Sequence, residues 1–271
     1  MDIKVVRMKI RIVECDRNKI EFVVDGATPA LINALRRVII AEVPTLAIED
    51  VIFYENSSAL YDEIIAHRLG LIPLTTDLRS FNLPEKCKCN GKGCSLCRVT
   101  FFLEKEGEGV VYSGDLKSED PKVKPVYENI PIVKLGKGQK ISLEAIAILG
   151  RGRDHAKWSP AANCYFKYYP KISIDEKKCD ACKKCVGVCP RNILEFKKGK
   201  ISAKNIEECI FCKECEMSCE KKAIKIGYEN NKFIFYLEST EALAADEIVK
   251  EALKVLDEKL NDLEAQIKEK L

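Results

Sequence analysis

Eight of the fourteen cysteines in this 271-residue chain fall between Cys179 and Cys219. They form two runs of one spacing. Cys179, Cys182, Cys185 and Cys189 read C-x2-C-x2-C-x3-C, and Cys209, Cys212, Cys215 and Cys219 repeat it. This is the ligand spacing of two iron–sulfur clusters, in which the fourth cysteine of each run ligates the other run's cluster. One cluster then takes Cys179, Cys182, Cys185 and Cys219, and the other takes Cys209, Cys212, Cys215 and Cys189. The reason is geometric: three thiolates on a tight loop cap three corners of a cubane, so the fourth must arrive from elsewhere, and crossing it ties the halves together. Paired x2 spacings in a chain without secretory features argue against disulfides. Zinc is the better alternative, but two four-cysteine runs of identical spacing favour clusters.

A second thiol group, Cys87-x-Cys89-x4-Cys94-x2-Cys97, is interleaved with Gly91 and Gly93. Four thiolates around a glycine turn can wrap one tetrahedral zinc with no open position, which makes such a site structural. The first pair is C-x-C rather than the commoner C-x2-C, so an unmetallated loop or another metal is the alternative. Cys15 and Cys164 have no assigned partner and read as ordinary buried thiols.

Composition narrows the rest. An apolar fraction of 46% supports a sizeable core. The amino terminus MDIKVVRMKIRIVEC alternates charged and apolar residues, so neither a signal peptide nor a membrane anchor is expected, and the reducing cytoplasm suits so many thiols. The 45 basic and 42 acidic residues are mixed along the chain for a net charge of +3, which gives no electrostatic footprint for DNA. Two histidines leave little for acid–base chemistry. The chain has no P-loop, no dinucleotide fingerprint, no nucleophile elbow and no carboxylate cluster for two metals. No catalytic residue is expected.

The elements that position these groups follow from periodicity. Met8, Ile10 and Ile12, then Ile20, Phe22 and Val24, alternate with charged residues and predict a hairpin closed by Cys15-Asp16-Arg17-Asn18. Thr28-Pro29 supplies an N-cap and a first-turn proline for a helix to about Glu42, apolar almost all round except at Asn33, Arg36 and Arg37. Ala47 to Tyr54 predicts a strand, and Leu60 to Leu69 a short helix ending at Gly70 with His67 and Arg68 in its last turn. Val99–Leu103 and Lys140–Leu149 read as strands around a polar middle. The loop Gly150 to Pro160 holds the lone tryptophan, and its irregular glycines do not make a phosphate cradle; taken alone it reads as surface. A strand at Lys232–Leu237 is entered through Asn230-Asn231. Glu241 to Leu271 is a helix of about 45 Å. Its Val249, Leu253, Leu256, Leu260, Leu263 and Ile267 step by alternating fours and threes, the seam of a coiled-coil-like pair.

Three motifs resemble the signatures of the D subunit of archaeal RNA polymerase. They are Asn33-Ala34-Leu35-Arg36-Arg37, the run Asp62-Glu63-Ile64-Ile65-Ala66-His67-Arg68-Leu69-Gly70-Leu71-Ile72-Pro73-Leu74, and His155-Ala156-Lys157-Trp158-Ser159-Pro160. That family is similar to the third-largest subunit of eukaryotic RNA polymerase II and to the amino-terminal domain of the bacterial alpha subunit. The resemblance covers essentially the whole chain and overturns the surface reading of the tryptophan loop.

It implies an α+β fold: a discontinuous alpha-subunit-like dimerisation domain from 1–45 and 229–271, an inserted mixed domain at 46–168 with the zinc loop, and an inserted ferredoxin-like two-cluster domain at 169–228. It implies a heterodimer with the small L subunit of the polymerase, a platform for the large catalytic subunits that hold the active site, and possible contact with other small polymerase subunits. Leu253, Leu256, Leu260 and Leu263 then face the partner, and Arg36 and Arg37 face a large subunit. The expected cofactors are two [4Fe–4S] clusters, with a [3Fe–4S] form at one site on isolation as the variant, and one zinc. The sequence departs from the usual cluster run at Glu220, where proline commonly follows the fourth cysteine as Pro190 follows Cys189. The competing reading is an electron-carrying subunit of an oxidoreductase.

Overall fold

The structure, a computed structural model, describes residues 8–270. The first seven residues of the amino-terminal stretch, and Leu271 of the long helix, lie outside the described residues. In chain order the elements are β1 (Lys9–Cys15), β2 (Lys19–Asp25), α1 (Pro29–Ala41), β3 (Pro44–Asn56), α2 (Asp62–Gly70), β4 (Arg98–Glu106), β5 (Gly109–Tyr112), β6 (Lys117–Ser118), β7 (Pro131–Leu135) and β8 (Lys140–Arg151). After them come β9 (Ala161–Ile174), α3 (Lys184–Gly187), β10 (Leu194–Lys197), β11 (Lys200–Ala203), α4 (Glu214–Met217), β12 (Ile224–Ser239) and α5 (Ala245–Lys270).

Two compact units emerge, one from residues 8–13, 21–33 and 165–236, the other from 14–20, 34–164 and 237–270. In the first, β1, β2, β12 and β9 lie side by side in that order, and β10 and β11 pair separately as a small antiparallel ribbon. The hairpin turn forms because the Asp16 carboxylate accepts the N–H groups of Asn18 and Lys19, both at 2.8 Å. Strand β1 is an edge strand with all seven residues exposed. Cys15 is therefore exposed, which corrects the expectation of a buried thiol. Cys164 is half-buried, and burial pushes its thiol up to about 12.

A second correction concerns β12. The expected entry turn at Asn230-Asn231 is absent, and the strand runs unbroken from Ile224 to Ser239. The Asn231 carbonyl instead accepts the N–H groups of Gly26 and Ala27 at 2.8 and 3.1 Å, so the chain leaving β2 docks there before α1 begins.

In the second unit β3, β8, β4 and β6 form an antiparallel sheet, with β5 and β7 as a separate pair. Strand β8 shows why: Ile141, Leu143, Ala145, Ala147 and Leu149 alternate inward, and all are nearly fully buried. Strand β3 begins at Pro44 and reaches Asn56, with bulges at Ile48/Asp50 and Phe53/Glu55, so it is longer than the periodic run suggested. Helix α2 buries Ile65 and Leu69 completely in the same core, each stabilising by about 1.5–3 kcal/mol. It begins at Asp62, after Tyr61, rather than at Leu60. Gly70 is its last helical residue, and a Cβ there would lie 3.4 Å from the Ile48 carbonyl oxygen.

Helix α5 begins at Ala245, four residues later than expected. The sequence before it is spent on a turn: the Ser239 hydroxyl accepts the Glu241 N–H at 2.8 Å and donates to the Leu243 carbonyl at 2.6 Å. Glu241 adopts a left-handed backbone with φ of 67°. Its carboxylate accepts from Asn18 Nδ2 and from the Tyr127 hydroxyl, at 2.9 and 2.7 Å.

Candidate metal centres

The two cysteine runs fold as copies of one loop. In each, the residues flanking the second cysteine are left-handed: Ala181 and Lys183 with φ of 58° and 65°, Phe211 and Lys213 with φ of 58° and 63°. Non-glycine residues in this region cost about 1–3 kcal/mol each and persist where the surroundings over-determine them. Left-handed residues of this kind curl backbone N–H groups toward an anion, which suits a loop built around thiolates. The third cysteine of each run then falls in a one-turn helix, α3 or α4. The third residue after each fourth cysteine, Asn192 or Lys222, is left-handed too.

These loops bring the thiols together in crossed sets. A cavity of about 60 Å3 is lined by Cys179, Cys182, Cys185 and Cys219, with Ile174 and Ile224 as its apolar wall. A second, of about 20 Å3, is lined by Cys189, Cys209, Cys212 and Cys215, with Ile226 beside them. Burial, and then the neighbouring Cys179, Cys182 and Cys219 thiolates, push the Cys185 thiol up. Burial followed by Cys189, Cys209 and Cys212 pushes Cys215 up to about 11. Four thiols lining one cavity cannot all ionise without a compensating cation, and an iron–sulfur core supplies that charge. Cys182 and Cys212 are the solvent-exposed members of their sets. Glu220, in the place where proline was expected, accepts from Lys184 of α3 at 2.5 Å and so links the fourth-cysteine segment to the loop it crosses to reach.

The shorter thiol loop also closes. The Sγ atoms of Cys87, Cys89, Cys94 and Cys97 all lie within 4.8 Å of one another. Three of the separations are 3.6 Å (Cys87–Cys94), 3.5 Å (Cys89–Cys97) and 3.8 Å (Cys94–Cys97). A tetrahedron with zinc–sulfur bonds of about 2.3 Å has edges of about 3.8 Å, so the donor set fits that ion. Left-handed Asn90, Gly91 and Gly93, with φ of 52°, 77° and 88°, fold the C-x-C end back on the C-x2-C end. Burial first, with the Cys89 and Cys87 sulfurs adding to it, pushes Cys97 up to about 12.

The tryptophan loop exposes Arg153, Asp154, His155 and Ala156 and is anchored inward by Trp158 and Pro160. Trp158 is buried, and its Nε1–H donates to the Ile148 carbonyl at 3.2 Å. Its own carbonyl accepts from the Thr45 hydroxyl at 2.9 Å. Lys157 donates to the Ile48 carbonyl at 2.9 Å and pairs with Glu49. His155 caps the turn, its Nδ1 accepting the Lys157 N–H at 3.0 Å. Gly150 and Gly152 are the residues that spacing failed to explain. A Cβ on Gly150 would sit 2.3 Å from the Trp158 ring, and one on Gly152 would sit 2.0 Å from the Ile40 carbonyl oxygen.

Arg37 is exposed and Arg36 half-buried on α1. On α5 the buried stripe is Ala245, Ile248 and Ala252. Leu253, Leu260 and Leu263 remain 52%, 64% and 54% exposed, and Leu256 is half-buried. The heptad seam is thus distinct from the face that packs within the chain. Lys259 anchors the helix to Glu42, at the end of α1, at 2.8 Å. No helix among the described residues is long and apolar enough to cross a membrane.

Residues 47–164 match the RNA polymerase Rpb3/RpoA insert domain, and residues 171–220 match a 4Fe-4S dicluster domain. Together they define a polymerase-type subunit that carries an iron–sulfur segment. The DNA-directed RNA polymerase subunit Rpo3 of Methanosphaera stadtmanae is 46% identical over 94% of this chain and 97% of its own length. Rpo3 of Methanothermobacter thermautotrophicus is 46% identical over 93% and 96%, and that of Archaeoglobus fulgidus 44% over 96% and 98%. The chain belongs to the Rpo3 family of DNA-directed RNA polymerase subunits. The electron-carrier alternative accounts for residues 171–220 and leaves the polymerase insert domain at 47–164 without a role, so it is not favoured.

Proposed function

We propose that this chain is the non-catalytic assembly subunit of an archaeal DNA-directed RNA polymerase, equivalent to the D subunit. It pairs with the small L subunit and presents the pair to the large subunits, which hold the active site and are met by Arg36 and Arg37. The observation that carries this reading is the uncovered heptad on α5: Leu253, Leu260 and Leu263 stay more than half exposed while Ala245, Ile248 and Ala252 satisfy the helix's own core. Leucines at this spacing are the seam of a helix pair.

In this reading residues 1–45 and 229–271 form the dimerisation domain, 46–168 the insert and 169–228 the cluster domain. Cys179, Cys182, Cys185 and Cys219 hold one [4Fe–4S] cluster, and Cys189, Cys209, Cys212 and Cys215 the other. What supports the assignment is that each crossed set lines one cavity. Cys87, Cys89, Cys94 and Cys97 hold a structural zinc, supported by their sulfur separations. Bound clusters would staple the two loop repeats to each other. A reducing cytoplasm, where fourteen free thiols persist, is the compartment that fits. Anaerobic co-expression with the small subunit tests the proposal: a stable one-to-one heterodimer is expected, and a strictly monomeric product would overturn it.

A further inference from the structure

The two cysteine sets are near-copies, yet they meet the sheet β1-β2-β12-β9 differently. The first touches it at strand ends, through Ile174 of β9 and Ile224 of β12. The second also reaches the start of β12, where Ile226 lines its cavity and donates its N–H to Glu216 at 3.1 Å, but it is tied to the middle of the sheet as well by polar contacts. Lys167 of β9, half-buried, donates to the Glu207 carbonyl at 2.5 Å and to the Cys209 carbonyl at 3.1 Å. The Glu207 carboxylate accepts from Arg11 of β1 at 2.5 Å and from the Tyr169 hydroxyl of β9 at 3.0 Å. Lys232 of β12 lies 3.8 Å from the centroid of the Tyr169 ring. Three of the four strands therefore contribute to one charged network that ends on the backbone of Cys209, where the repeat-related Cys179 sits on a loop closed by Asp175.

We infer that Lys167 and Glu207 are positioning residues that couple occupancy of the second cysteine set to the order of β1 and of mid-β9, while the first set governs the strand ends. This rests on the reading that Cys209, Cys212, Cys215 and Cys189 hold a cluster. The physical basis is that a half-buried ammonium is held by carbonyls whose positions depend on the loop, and a half-buried carboxylate by groups from two strands. If the loop moves, Lys167 loses both its acceptors, and charged groups left without partners in partly buried surroundings are costly. A bound cluster also carries negative charge on its thiolates, so the Lys167 ammonium beside Cys209 favours retention electrostatically.

Hydrogen exchange on the full chain in its heterodimer, prepared anaerobically, tests the inference. With Cys212→Ser, amides of residues 9–13 and 166–169 should exchange at least tenfold faster. With Cys182→Ser, the accelerated amides should instead be those around 172–175 and 223–224. Lys167→Met should speed iron release from one cluster at least severalfold under chelator and raise exchange at 9–13 in the iron-loaded protein, and Lys167→Arg should restore both. Equal exchange at 9–13 and 166–169 in the two cysteine variants, or an iron-release profile unchanged by Lys167→Met, would overturn it. Iron counted in the same samples separates the failures: if Cys212→Ser leaves the iron content of the wild type unaltered, the ligand reading itself is wrong.

Discussion

Replacing Leu253 and Leu260 together by alanine separates the proposed partner face of α5 from its internal face. The two leucines are 52% and 64% exposed in the isolated chain. Fully burying a leucine is worth about 1.5–3 kcal/mol, so covering the remaining half or more of each contributes about 1–1.5 kcal/mol per site to association. Truncating both should cost roughly 2–3 kcal/mol, a 30- to 100-fold rise in the dissociation constant of the heterodimer at about 1.4 kcal/mol per tenfold. The isolated chain should be unaffected, because these side chains fill no cavity of its own. Ile248 supplies the contrast: it is 0% exposed, and Ile248→Ala should cost about 2–5 kcal/mol of folding stability. Sedimentation of the anaerobic complex gives the affinity, and the thermal midpoint of the chain alone gives the stability. An unchanged dissociation constant in the double variant, or a midpoint that falls as far as in Ile248→Ala, would refute the assignment of the two faces.

Other outcomes follow from single sites. Gly152→Ala should sharply lower folding yield, because its Cβ would lie 2.0 Å from a backbone oxygen, whereas Gly187→Ala, with nothing within 4 Å, should be neutral or slightly stabilising by thermal melt. Cys94→Ser should remove zinc without altering iron, as read by metal analysis, and lower the midpoint of the insert; zinc retained at one per chain would contradict the four-thiolate site. Burial pushes the Asp115 carboxyl up, but the Lys105 ammonium and the Tyr112 N–H, both at 2.7 Å, outweigh it and hold its pKa below the ordinary value. A carboxylate depressed in the folded state contributes stability above its unfolded pKa and loses it as pH falls through the folded value. Acid melts below about pH 4 should therefore weaken the insert, and Asp115→Asn should flatten that part of the profile.

What could be read from the residues alone is what depends on near neighbours. Ligand spacing is local, so the thiol sets and the closed four-cysteine loop could be expected, and the heptad of α5 could be read because leucines mark it. The buried stripe of the same helix could not, since two of its three members are alanines that carry no periodic signal. Cys15 is exposed because it lies on an edge strand, a property of sheet order and not of the strand's own alternation. Asn230-Asn231 looked like a turn by type, but the pairing of β12 and the docking of residues 26–27 on it override that preference. Gly150 and Gly152 owe their identity to Trp158 and Ile40, and the Lys167 contacts to a loop some forty residues away. Glu220, where a proline would stiffen the segment, makes an exposed ion pair to Lys184 instead.

A cluster-bearing assembly subunit must show both properties at once. Native mass spectrometry of the anaerobically co-expressed chain and small subunit reads stoichiometry and metal content from one species. A one-to-one heterodimer carrying two four-iron clusters and one zinc is the expected result. A chain that flies alone, or a heterodimer whose mass leaves no room for iron and sulfide, would contradict it.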